Sequence, residues 1–130
     1  MARLILDSRV IITAERTGRR LNQLIHDDDD VAIAAITAAE LLVGVSLADD
    51  AQRPQRAQFV HSVLDTIPIE IYDLTVARAH ADLLAHVRRS GRSRGAHDMV
   101  IAATAAARGR TVVSEDASAF GDLPGVAVRT

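Results

Sequence analysis

Short apolar runs alternate with helical patterns along the whole chain. Arg3-Leu4-Ile5-Leu6-Asp7 is an apolar run closed by a carboxylate, the pattern of a buried parallel strand whose last residue faces a crevice. Val10 to Ala14 and Arg19 to His26 read as helical, with Leu21, Leu24 and Ile25 forming one apolar stripe, and Asp27 to Asp30 end that stretch. Val31 to Ala34 is a second strand. Thr37-Ala38-Ala39-Glu40 has the form of a capping box, a hydroxyl N-cap with Glu three residues on, opening a helix to about Ala48.

The alternation continues. Gln52 to Leu64 reads as a helix with Pro54 in its first turn, Ile67 to Ile71 as a strand, and Thr75 to Arg88 as a helix capped by Thr75. Gly91 and Gly95 interrupt the chain before a helix over Ala96 to Ala107, stopped by Gly109. Thr111 to Val113 is a fourth strand, and Val126 to Val128, after the Pro124-Gly125 turn, a fifth. Strands alternating with helices predict an α/β fold, a sandwich on a mostly parallel sheet, with ligands beyond the carboxyl ends of the strands. At 130 residues with no internal repeat or linker, a single domain over 1–130 is expected.

Composition narrows the chemistry. The chain is 48% hydrophobic and 25% charged, as folded proteins are. It has no cysteine, which excludes disulfides, thiolate zinc sites and cysteine nucleophiles and leaves oxygen or imidazole to hold any metal. All 15 basic residues are arginine, so Schiff-base chemistry, a P-loop lysine and the lysine of a receiver-type phosphoacceptor are missing. The run Leu4 to Leu6 is too short for a signal peptide or membrane span, and a cytoplasmic location is expected. A net charge of -2 gives no global basic footprint, so binding to nucleic acid would rest on local patches.

Four acids draw attention. Asp7 ends the first strand, Glu40 stands in the first turn after the second, and Asp116 lies just past the fourth, so three acids from distant sequence fall on one sheet edge. Asp98 joins them if its helix docks with its N-terminus at that edge. Glu40 also fits a capping box, Asp98 a dipole-favoured N-terminal acid and Asp116 a turn residue, whereas Asp7 has no such alternative duty. Packed together, four carboxylates need a divalent cation to offset their repulsion, and magnesium prefers oxygen ligands. Asp27 to Asp30 lack calcium-loop spacing and read as a solvated turn, and among the five dispersed histidines His97 alone adjoins a candidate acid.

Leu4-Ile5-Leu6-Asp7-Ser8, Thr37 to Gly44, His97 to Thr104, and Val112 to Asp116 with Phe120 behind it, in this order and spacing, resemble the PIN-domain ribonucleases, and among them the VapC toxins of bacterial VapBC toxin-antitoxin pairs. The resemblance covers essentially the whole chain. It implies a PIN-like three-layer α/β/α sandwich and an endoribonuclease using Mg2+, with Mn2+ as a substitute. It further implies that Asp7, Glu40, Asp98 and Asp116 bind the metal and that Ser8, Thr37 and Ser114 support them. A cognate VapB-type antitoxin, a homodimer, a higher toxin-antitoxin complex and no membrane are implied as well. One departure stands out: the family usually follows its first acid with two small hydroxyl or amide residues, and here Ser8 is followed by Arg9.

Arg9 is thereby a candidate to grip a scissile phosphate, to displace a metal ligand, or to pair outward with an acid. Arg88, Arg89, Arg92 and Arg94 form a positive stretch ahead of Asp98, suited to a phosphate backbone or simply solvated. With one Tyr, two Phe and no Trp, base stacking is scarcely available. The alternatives are a metal-dependent DNA nuclease of flap type and a non-catalytic RNA-binding module.

Overall fold

The computed structural model describes residues 1–18 and 26–130. Of the helix expected over Arg19 to His26, residues 19–25 lie outside the described residues, and His26 is in no regular element. Within them the order is β1 (Arg3–Leu6), α1 (Ser8–Thr17), β2 (Asp30–Ala34), α2 (Ala35–Leu47), α3 (Arg53–Thr66), β3 (Ile69–Glu70), α4 (Leu74–Ser90), α5 (Ala96–Arg108), β4 (Thr111–Val113) and β5 (Val128–Arg129), with a short 3-10 turn at Ala117–Ala119.

The strands form a five-stranded sheet in the order β3-β2-β1-β4-β5, and every pairing is parallel. Side chains of a strand alternate between faces, so Leu4-Ile5-Leu6 feeds two cores at once. Leu4 and Leu6 join Ile33, Val113, Val10 and Ile11 of α1, Leu41 of α2, and Val60 and Val63 of α3. Ile5 joins Ala34, Val112, Val76 and Leu83 of α4, Met99, Ile101 and Ala102 of α5, and Phe120. A helical layer therefore covers each face, the three-layer arrangement expected.

The strand order reverses beside β1. From β1 the chain adds β2 and β3 on one side, then crosses back to add β4 and β5 on the other. The two strands flanking this switch point diverge in their connections and leave a crevice beyond their carboxyl ends, where open α/β sheets bind ligands.

Several boundaries differ from expectation. β2 runs into α2 with no loop: Ala34 holds the N-cap position in extended conformation, and Thr37 lies inside the first turn, fully buried, rather than capping it. Glu40 accordingly falls in the second turn, not the first. α4 is capped by Asp73, whose carboxylate accepts from the Val76 amide, so Thr75 is not its cap. α1 is one helix from Ser8 onward, β3 keeps only two of the five residues predicted, and β5 sits at Val128–Arg129. Gly109 ends α5 as predicted, with φ +64 in the left-handed region where a side chain is strained.

At the start of β4, Arg110 ties the sheet together. Its guanidinium donates to the Leu4 carbonyl at 3.1 Å, to the Asp30 carbonyl at 2.9 Å and carboxylate at 3.1 Å, and to Glu70 at 3.0 Å, so one buried side chain touches β1, β2 and β3. Asp29 accepts from the amides of His26 and Ala2, and Asp30 pairs with Arg3, which gives the acidic run Asp27 to Asp30 a structural role at its second half. Among the described residues no helix is long and apolar enough to cross a membrane.

Candidate active site

Asp7 follows β1 directly and holds the N-cap position of α1, yet its side chain caps nothing. An aspartate there ordinarily accepts from the first-turn amides. Here the carboxylate, only 1% exposed, turns instead to Ser114 Oγ at 2.9 Å and Arg9 Nε at 2.8 Å. Ser114 comes from the end of β4, the other side of the switch point, and its hydroxyl also accepts from the Asp116 amide at 3.1 Å. One hydroxyl thus fixes two of the acids relative to each other.

Asp98 stands in the first turn of α5, whose N-terminus does dock at this edge, with the next residue, Met99, buried in the core. Asp116 caps the short turn after β4 by accepting from the Ser118 amide and hydroxyl. Glu40 reaches the same cavity from α2, with Oε2 at 3.4 Å from Ser8 Oγ and 3.5 Å from His97 Nδ1. A cavity of about 460 Å³ is lined by Asp7, Ser8, Arg9, Glu40, Gly95, Ala96, His97 and Asp98. A second, of about 300 Å³, adjoins it along Ala39, Glu40, Val43 and His97. The four predicted acids, Ser8 and Ser114 are brought together.

Thr37 is not joined to them by a hydrogen bond: its buried Oγ1, like Glu40 Oε1, has no partner among the described residues. Arg92 pairs with Asp122 at 3.0 Å, and Arg94 donates to the Gly121 carbonyl at 2.7 Å. Arg88 and Arg89 remain exposed in the last turn of α4.

The centre of the cluster is Arg9. Its Nε meets Asp7 Oδ2 at 2.8 Å, Nη2 meets Asp98 Oδ1 at 2.8 Å, and Nη1 meets Asp116 Oδ2 at 3.3 Å. Burial works against this charge, but Asp7 and then Asp98 outweigh it and hold the guanidinium protonated. Burial is likewise the main reason the Asp98 carboxyl titrates above the usual range; Arg9 draws it down, while Asp7 and Asp116 push it up. Asp116 is held below that range chiefly by the Ser118 hydroxyl.

These donors suit a hard divalent cation in type, being carboxylate oxygens with no sulfur. With Arg9 drawn in between them, no three His, Cys, Asp or Glu side chains among the described residues close on a point where a metal ion fits. A planar guanidinium instead spreads three of the acids around its edge.

Sequence reasoning took Gly95 only as a chain break and did not name Ser118. A Cβ on Gly95 would lie 3.0 Å from Asp98 Oδ2, so the small residue makes room for the carboxylate. Ser118, two residues after Asp116, fits the local pattern in which an aspartate accepts from the backbone two positions on, a readable signal.

Comparison with known proteins agrees with this architecture. The PIN domain family model matches residues 4–125. Ribonuclease VapC5 of Mycobacterium tuberculosis is 39% identical over 126 residues, 95% of this chain and 89% of that protein. The crystal structure of VapBC-5 from the same organism superposes with a TM-score of 0.81 at 33% identity, over 98% of both chains. VapBC2 of Rickettsia felis, at 21% identity, shares the fold with a TM-score of 0.88, over 98% of this chain and 97% of that one. With its strand order, its acid-lined switch point and these likenesses together, the chain belongs to the PIN-domain family, in its VapC group.

Proposed function

We propose that the chain is a divalent-cation-dependent endoribonuclease of VapC type, a single PIN domain over 1–130, restrained by a VapB-type antitoxin. The observation that carries this reading is the meeting of Asp7, Glu40, Asp98 and Asp116, from four separate stretches, at the carboxyl edge of β1 and β4. Acids gathered so densely repel one another, and a fold retains them where a cation repays the cost.

Asp7, Glu40, Asp98 and Asp116 would hold Mg2+ or Mn2+, which when bound supplies polarisation of the phosphodiester and a bound water of lowered pKa. The protein's own part is orientation. Ser114 locks Asp7 against Asp116, Ser118 fixes Asp116, and Ser8 with His97 positions Glu40. Exposed Arg88 and Arg89 supply positive charge for an RNA backbone, a contact expected to weaken with salt.

The relatives named above include toxin-antitoxin complexes, and exposed Leu42, Val43 and Leu47 on α2 offer apolar surface for an antitoxin or a second copy of the chain.

The test is an assay of the purified chain on structured RNA in Mg2+, Mn2+ and EDTA, with analysis of the product ends. Cleavage in either metal and not in EDTA, leaving a 5'-phosphate and a 3'-hydroxyl, is expected. Intact RNA under all conditions would refute the reading, and preference for a single-stranded DNA flap would move it to the DNA-nuclease alternative.

A further inference from the structure

Arg9 makes contacts that a bound cation would need for itself. Its three nitrogens take one oxygen each from Asp7, Asp98 and Asp116. Oxygens arranged around the rim of a flat fork cannot also converge on a small ion that demands ligands at about 2.0–2.1 Å. A guanidinium and a divalent ion also repel each other, so the two do not share these acids.

The surroundings allow the side chain to leave. Ser8 and Val10 on either side of Arg9 are buried in the first turn of α1, which fixes the backbone. The Arg9 side chain is 39% exposed and lines the open 460 Å³ cavity. Its flexible stem can rotate toward solvent with no change in the fold.

We propose that Arg9 is a built-in competitor of the divalent cation: it holds Asp7, Asp98 and Asp116 in the cation-free protein and must withdraw before they can bind metal. This rests on the metal-dependent reading above. Since only the fraction with Arg9 withdrawn is competent, the apparent metal affinity is lowered by that fraction. Arg9 also partly screens the acids when no metal is present. One positive charge faces four negative ones, which leaves the cluster able to accept a stronger cation.

The test compares the full-length parent with Arg9→Ser and Arg9→Gln, each checked for folding by circular dichroism. Mn2+ binding is measured by titration calorimetry, and thermal midpoints are read in EDTA and in Mn2+. Both variants are expected to bind Mn2+ at least about tenfold more tightly than the parent. They should also melt lower in EDTA and gain more from Mn2+. If the parent binds Mn2+ and either folded variant binds no more tightly, Arg9 is not a competitor and the nuclease reading stands. If neither parent nor variants bind Mn2+, the metal-dependent reading falls and this proposal with it.

Discussion

Replacing Asp98 by Asn separates what its charge does for chemistry from what it does for folding. The substitution is nearly isosteric and removes one negative charge from the cluster. It weakens the 2.8 Å contact to Arg9, but that pair is part-exposed, with 22% of the Asp98 side chain and 39% of Arg9 accessible, so its worth is about 0–1 kcal/mol. Against this, burial and the like charges of Asp7 and Asp116 raise the Asp98 pKa, which means the folded protein tolerates its ionised form less well than the unfolded chain does. The sign follows from linkage: the penalty is full above the folded pKa and vanishes as pH falls below the ordinary carboxylate value. Asp98→Asn should therefore change stability by less than about 1 kcal/mol near pH 7, a shift of no more than about 4 °C in Tm. Any gain should disappear toward pH 3. Metal-dependent cleavage of RNA should meanwhile fall at least about 100-fold, about 2.7 kcal/mol of transition-state stabilisation. Thermal melts in EDTA across pH, paired with cleavage assays in Mg2+, decide the matter. Undiminished cleavage would remove Asp98 from the site, and a loss of more than about 8 °C would show that its charge serves the fold.

Gly95→Ala should leave Tm within a degree or two, since φ is -59 and alanine adopts it freely, yet weaken Mn2+ binding severalfold by pressing on the Asp98 carboxylate; calorimetry on the folded variant checks this. Thr37→Val should be neutral or stabilise by up to about 1 kcal/mol in a urea melt, because it removes a buried hydroxyl that has no partner among the described residues. Arg110→Met should cost about 1–3 kcal/mol of unfolding free energy by removing the donor to the Leu4 and Asp30 carbonyls, while Asp30 and Glu70 keep Arg3 and Arg108 as partners. Cleavage at a temperature where the variant is folded should match the parent.

Much of the frame was readable because each clue was local. Leu4-Ile5-Leu6 announces a strand with two buried faces, and Asp7 marks its end because an acid has no place in an apolar strand unless the strand stops there. Caps were less legible. Thr37-x-x-Glu40 satisfies the capping pattern, but β2 passes into α2 at Ala34 with no loop, so the helix is already under way when Thr37 is reached. At α4 two possible caps lie two residues apart, and Asp73 wins by reaching the Val76 amide. The direction of Arg9 was open for a different reason. Its side chain goes where the summed charge of three acids draws it, and those acids come from segments up to 107 residues away. The same holds for Arg92 and Arg94, whose partners at Asp122 and Gly121 lie about thirty residues further along the chain. Long flexible cations reveal their partners only once the chain has folded.

The buried Arg110 guanidinium that binds β1, β2 and β3 from the start of β4 does its work one strand length from the acids. Rigidity is thus anchored at one end of β4 and chemistry at the other. The rim is left free to carry crowded negative charge, an unfavourable arrangement that a looser sheet would relieve by spreading apart.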